Sequence, residues 1–287
     1  MQVEIFDDTP CELGEGPLWH PRQGQLFWFD ILNNRLHSSD GETRLTRQFN
    51  QNVSAAGWTG EESLLIASES GLAEIDLPSG SQQEICPLEE DNPETRSNDG
   101  RADPMGGFWI GTMGKKAEKH AGSIYRYYRG ELRRLYRKVT IPNGICFAPD
   151  GSRAYFTDTL MQRILVQDLD GAGWPKGTPQ VFVDLRADRM NPDGAVTDRD
   201  GNLWSAHWGA SAVFCFDLDG KVIHKVTLPA RHTSCPAFGG AELSDLFVTT
   251  AREHLDDAAI EKEPQNGLTF VVRDLGAVGW PEPQVML

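Results

Sequence analysis

Short apolar and aromatic runs recur along this chain, each set just behind a polar turn. They read Leu26-Phe27-Trp28-Phe29, Leu64-Leu65-Ile66, Phe108-Trp109-Ile110, Ala154-Tyr155-Phe156, Leu203-Trp204 and Leu246-Phe247-Val248. Measured between Phe27, Leu65, Trp109, Tyr155, Trp204 and Phe247, the intervals are 38, 44, 46, 49 and 43 residues. Residues 72–76, 123–127, 164–167 and 213–216 then alternate apolar and polar side chains. Period-two alternation marks strands with one covered face. The intervening turns, at 21–24, 59–62, 104–107, 149–151 and 200–202, are rich in Pro, Gly and Asp, which preset the dihedrals of tight reversals. A strand-and-turn unit repeating every 40–50 residues predicts a propeller. Six units predict an all-β, six-bladed β-propeller with a central channel. No linker or composition break divides the chain, so residues 1–287 are expected to form a single domain.

The apolar strand Val3-Glu4-Ile5-Phe6 has no blade of its own. A ring of sheets must be closed or it leaves two free edges, so closure by N- and C-terminal strands is predicted. Residues 3–6 are expected to complete the last blade beside 268–272 and 284–287. Two longer insertions interrupt the repeat, at 114–122 and 252–265, and the second is expected to carry a short helix on the rim.

The repeat phase also selects candidate chemistry. Stepping back 11–13 residues from each anchor gives Glu15, Ser54, Asn98, Asn143, Asp193 and Ser234, all polar. One phase in a propeller is one height on the axis, so these side chains are expected to converge in the channel. Gly-Pro, Asn-Asp-Gly, Pro-Asn-Gly and Pro-Asp-Gly contexts surround four of them, allowing the backbone to approach the axis. Converging carboxylates repel unless a cation lies among them. Carboxylate and amide oxygens suit Ca²⁺, Mg²⁺ or Mn²⁺ and tolerate Zn²⁺, and three or four protein ligands leave positions open for water or substrate.

These segments carry a family resemblance. Leu13-Gly14-Glu15-Gly16-Pro17-Leu18-Trp19, Arg96-Ser97-Asn98-Asp99-Gly100, Gly111-Thr112-Met113, Pro142-Asn143-Gly144, Pro192-Asp193-Gly194 and Phe238-Gly239-Gly240 closely resemble the regucalcin/gluconolactonase (senescence marker protein) family, nearly end to end. The resemblance implies a six-bladed propeller that hydrolyses a sugar lactone, such as a glucono-, xylono-, galactono- or arabinono-lactone, with one divalent metal. Ca²⁺ or Zn²⁺ leads as the metal, with Mn²⁺, Mg²⁺ or Fe²⁺ as further candidates. It implies metal ligation by Glu15, Asn143 and Asp193, with Asp193 also the general base, and substrate contacts from Arg96 and Asn98. Animal members carry a glutamate on the loop after Gly-Thr-Met. Here that stretch is Gly114-Lys115-Lys116-Ala117-Glu118, so Lys116 is a substrate-binding candidate, with a solvated Lys-Lys loop as the plainer reading. The alternatives are a non-catalytic calcium-binding regulatory propeller and a propeller esterase or organophosphate hydrolase.

Composition narrows the partners. With 27 basic against 42 acidic residues the net charge is −15, which offers no basic stripe for nucleic acid. No segment approaches the ~20 apolar residues of a membrane span. Five scattered cysteines without a CxxC pair fit a reducing, cytoplasmic setting, with Cys146 and Cys215 as small core residues. The expected partner is a small-molecule sugar lactone, and the expected state a monomer or weak homo-oligomer. Among the aromatics, Trp28, Trp109 and Trp204 are expected in the core, Trp19 and Trp208 as a wall for a sugar face, and His207 near the mouth. Asp198-Arg199-Asp200-Gly201-Asn202 is expected to be a hairpin turn, since an EF-hand's later ligands are missing.

Overall fold

A computed structural model describes residues 1–287. It contains six four-stranded antiparallel sheets, each a blade of the predicted propeller. Blades one to five take consecutive strands, opening at Gly14–His20, Val53–Gly60, Thr95–Ala102, Pro142–Phe147 and Asn191–Thr197. These five strands and His232–Gly239 of blade six line the axis. The six aromatic and aliphatic anchors all fall on second strands and are buried. Second strands are covered on both faces by neighbouring blades, which is why they read as apolar runs rather than as alternation. Trp28, Trp109 and Trp204 are core residues, as expected, and so are Cys146 and Cys215.

The ring is closed by the N-terminus. Gln2–Asp7 pairs antiparallel with Thr269–Arg273 as the outer strand of blade six, Val3 opposite Val272 and Ile5 opposite Phe270. Blade six therefore joins the first and the last strand of the chain. The expectation for residues 284–287 is corrected: they form no strand there. The chain after Arg273 crosses the end of the ring away from the site described below. Arg199 N donates to Val278 O at 2.9 Å and Trp280 Nε1 to Thr197 Oγ1 at 2.9 Å, beneath blade five. Further on, Trp58 Nε1 donates to Glu282 O at 2.8 Å and Met286 N to Gly106 O at 2.8 Å, beneath blades two and three. Between these anchorages Glu282 forms a buried ion pair with Arg101, whose guanidinium also reaches Pro236 O on blade six. The tail thus caps the far end of the channel. Its apolar Val285 settles between blades two and three, a burial available there and not at the already completed sixth blade.

The insertion in blade six carries the helix Asp257–Lys262, N-capped by Asp256 through Ala259 N. Asp198 Oδ1 accepts from Asp200 N and Asn202 N at 3.0 and 2.9 Å, a side-chain-stabilised hairpin turn.

Candidate metal and substrate site

Every innermost strand breaks register at or beside its in-phase polar residue. The shifts fall between Glu15 and Leu18, Val53 and Ala55, Ser97 and Gly100, Asn143 and Cys146, Pro192 and Ala195, and Thr233 and Pro236. A bulge leaves residues unpaired and turns their side chains out of the ladder, here toward the axis. Gly16 and Gly144 occupy left-handed conformations at φ +55° and +64°, open to glycine at no steric cost. This is the local reason for the small residues beside Glu15 and Asn143.

The bulges bring Arg96, Asn98, Asn143 and Asp193 into one hydrogen-bonded chain spanning blades three to five. Arg96 Nη1 donates to Asn98 Oδ1 at 2.8 Å and to Ser97 O at 2.9 Å. Asn98 Nδ2 donates to Asn143 Oδ1 at 2.7 Å and to Pro142 O at 3.0 Å. Asn143 Nδ2 donates to Asp193 Oδ1 at 2.6 Å and to Thr159 Oγ1 at 2.9 Å. The direction of the chain follows from its carbonyls. Thr159 spends its one proton on Pro192 O, so it must accept from Asn143, and Pro142 O can only accept from Asn98. Asn143 Oδ1 therefore faces Asn98 and keeps a second lone pair. Asp193 Oδ2 and Glu15 Oε1 take no hydrogen bond from the protein, while Glu15 Oε2 accepts from Gly16 N at 3.0 Å.

The expectation that all six in-phase residues converge is corrected for two of them. Ser54 Oγ donates to Asn98 O at 2.6 Å and Ser234 Oγ to Gly14 O at 2.5 Å. Both hydroxyls stitch adjacent innermost strands together, because a buried serine with a free carbonyl in reach satisfies both groups at once.

The electrostatics favour a cation among the remaining oxygens. Burial first, then the charge of Asp99, raises Glu15 to about 8. Burial first, then Glu15, lifts Asp193 well above the usual carboxylate range. Burial brings Asp99 to about 6 although Ile145 N donates to it. Arg96 is itself lowered by burial and supported by Glu253, Glu15 and Glu69, and its hydrogen bonds go to Asn98 and Ser97 rather than to either acid. Two buried carboxylates, with the charge of Glu15 raising Asp193, and an amide oxygen between blades are the donor set of a hard divalent cation. Glu15, Asn143 and Asp193 fit such an ion.

The structure leaves Lys116 outside this network. All three lysines of the 114–122 loop, Lys115, Lys116 and Lys119, are exposed. Lys115 pairs with Glu69 on blade two, and the Lys116 ammonium has no protein partner. Trp19 is corrected: it lies toward the capped end, stacked on Phe247 at 5.4 Å. Trp208 stands at the mouth end of its strand, stacked on His232 at 4.3 Å. His207 is fully buried against Phe214, with its basicity depressed to about 4 by burial. Glu253 escaped the repeat reading because it sits in the blade-six insertion, out of phase. Its charge nevertheless reaches Glu15, Asp193 and Arg96. An acid two residues beyond the end of a second strand is the signal that would have found it.

Comparison with known proteins bears on this geometry. Residues 13–252 match the family model described as SMP-30/Gluconolactonase/LRE-like region. A protein of Rhizobium meliloti (strain 1021), provisionally named a sugar lactone lactonase, is 43% identical over 92% of this chain and 91% of its own length. The L-arabinolactonase of Azospirillum brasilense is 35% identical over 95% of this chain and 92% of its own. Among solved structures, a calcium-binding protein, regucalcin, from Agrobacterium tumefaciens superimposes with a TM-score of 0.97 at 42% identity, covering 100% of this chain and 98% of that one.

Proposed function

This chain belongs to the SMP-30/gluconolactonase/LRE-like family, and from that premise we propose that it is a metal-dependent sugar lactonase, a hydrolase that opens an aldonolactone to the aldonic acid. The observation that carries the reading is the Arg96–Asn98–Asn143–Asp193 hydrogen-bond chain with Glu15 beside it. The sugar lactonase names of the Rhizobium and Azospirillum relatives support the same substrate class.

Glu15, Asn143 and Asp193 would hold the divalent ion, Ca²⁺ or Zn²⁺ before Mn²⁺, Mg²⁺ or Fe²⁺. When bound, such an ion polarises a carbonyl and lowers the pKa of water. The chain's own groups do the rest. Asp193 has one oxygen fixed by Asn143 and one free. The free oxygen takes the proton of the attacking water as hydroxide adds to the lactone carbonyl. The ring C–O bond then breaks, and Asp193 gives that proton to the departing alkoxide, which becomes the hydroxyl of the open acid and leaves the carboxylate free again. Arg96 would donate to a sugar hydroxyl through Nη2, which no protein group takes, and Asn98 Oδ1, with one lone pair left beside the bond from Arg96, would accept from one. Both act from fixed positions, which lowers the entropic part of the barrier. Lys116, exposed and without a protein partner for its ammonium, would meet a hydroxyl of the bound sugar from the loop.

A pH-stat assay over five- and six-carbon lactones with Ca²⁺, Zn²⁺, Mn²⁺, Mg²⁺ and Fe²⁺ tests the reading. Metal-dependent acid release supports it. A calcium-binding propeller without turnover, the reading favoured by the description of the Agrobacterium relative, predicts metal binding with no acid release on any lactone. Metal-dependent acid release also discriminates against an organophosphate hydrolase, which needs a more apolar pocket than Arg96, Asn98 and Asp193 provide.

A further inference from the structure

A second group of ligand-type side chains lies outside the channel, where the closing N-terminal segment passes into blade one. Cys11 sits in the crossing between Gln2–Asp7 and Gly14–His20, Asp30 ends the second strand of blade one, and His37 lies in the third. One ligand atom from each lies within 4.8 Å of the others, and the three residues are at most 1% exposed.

Three observations make this more than chance crowding. His37 Nε2 is buried with no hydrogen-bond partner, while Nδ1 is engaged by Thr46 Oγ1 at 2.9 Å. That is the arrangement of a liganding imidazole, one nitrogen fixed by an outer partner and the other presenting its lone pair. Stacking on Trp28 at 5.3 Å holds the ring in place. Asp30 is fully buried and no Lys or Arg pairs with it. Its oxygens accept from Leu13 N, Glu12 N and Asn33 Nδ2 at 3.1, 3.2 and 2.7 Å. Oδ1 carries only the first of these, leaving a lone pair free. Cys11 Sγ makes a long 3.9 Å contact with Thr9 O and lies beside the Trp28 indole N–H, which has no other partner, while Cys11 N is tied to Gly267 O at 2.9 Å.

We propose that Cys11, Asp30 and His37 form a structural site for one thiophilic divalent cation, Zn²⁺ or a chemical equivalent, distinct from the oxygen-lined site in the channel. The ligand set decides the ion: one thiolate, one imidazole and one carboxylate select zinc over calcium or magnesium. Binding replaces the Cys11 S–H bond with a sulfur–metal bond and releases that proton to solvent. A dication, a thiolate, a carboxylate and a neutral imidazole sum to zero, so the buried cluster holds no net charge, and Asp30 gains the counter-charge it lacks. Tetrahedral zinc places its ligand atoms about 3.3–3.6 Å apart, so the three atoms draw together modestly on binding. With no exposed path to the cluster, the metal enters as the chain folds. It joins the N-terminal crossing to blade one, beside the point where the ring closes, and its role is to secure that closure.

The test is to fold or express the full chain with Co²⁺ and record its near-ultraviolet absorption. Oxygen ligands at the channel site give no sulfur-to-metal charge transfer, so the spectrum separates the two sites. The expected result is a thiolate–cobalt band in the wild type, retained in Asp193→Ala, lost in Cys11→Ser and weakened in His37→Gln. In zinc-loaded protein the metal content falls by about half in Cys11→Ser. Absence of the band from wild-type protein folded with Co²⁺ overturns the proposal, even if Cys11→Ser does not fold. Failure of Asp193→Ala to hydrolyse lactones, with the band intact, bears only on the channel.

Discussion

Asn143 Nδ2 donates to Asp193 Oδ1 at 2.6 Å across the boundary between blades four and five. The bond is set by Thr159, which fixes which end of the amide faces the acid. Asp193 therefore presents a single free oxygen, in a defined direction. Replacing Asn143 by Leu removes both an amide oxygen and this constraint. The expected outcome is loss of the channel metal together with at least a ~100-fold drop in kcat/KM, measured by calorimetric metal titration and lactone hydrolysis.

Asp193 and Arg96 are expected to separate kinetically. Asp193→Ala should abolish turnover, a loss on the order of 10³-fold or more in kcat, since it removes proton acceptor and metal ligand together. Arg96→Ala should chiefly raise KM, by about 10- to 100-fold, as one charge-assisted contact is lost. An Asp193→Ala protein with full activity would sink the assignment.

The carboxylate shifts predict an unusual pH response. In metal-free protein Glu15 is raised from the usual 4.5 to about 8, and Asp193 is raised as well. The folded state then holds more protons than the unfolded chain between about pH 4.5 and 8, so stability falls as pH rises through that window. A cation needs both carboxylates ionised and reverses the trend. The gap in Tm between metal-loaded and EDTA-treated protein should widen from about pH 5 to about pH 8, and metal binding at neutral pH should release protons. A gap independent of pH would contradict this.

Glu282 gives a test of the tail. Glu282→Ala strands the Arg101 guanidinium, which is only 8% exposed, without its partner. Breaking such a pair from one side costs about 3–5 kcal/mol. Denaturant unfolding should show that loss, and adding Arg101→Met should recover much of it. Removing residues 1–7 should lower Tm as well, by exposing the edge of Thr269–Arg273.

Repetition explains what could be read from the chain. The anchors from Phe27 to Phe247 recur because each blade solves the same packing problem, and Glu15, Asn98, Asn143 and Asp193 were found by phase because the bulges recur too. What the repeat does not encode was not legible. Ser54 and Ser234 share the phase, yet their short hydroxyls find a neighbouring carbonyl before they reach the axis. Residues 284–287 look like a strand, but their partner is chosen by which edge is left open, a property of the closed ring. Glu253 lies in an insertion, and Cys11 in the crossing that meets Asp30 and His37 of blade one; such meetings occur once and leave no periodic trace.

The capped far end has a kinetic consequence. Arg101, Glu282 and the crossing tail close one side of the channel. If the channel holds the site proposed above, a sugar lactone would come in and its opened acid would leave by the other side, and the two would exclude each other. Hydrolysis followed to high conversion should slow through competition by the accumulated aldonate, and loosening the cap should not relieve that competition unless it breaches the chamber.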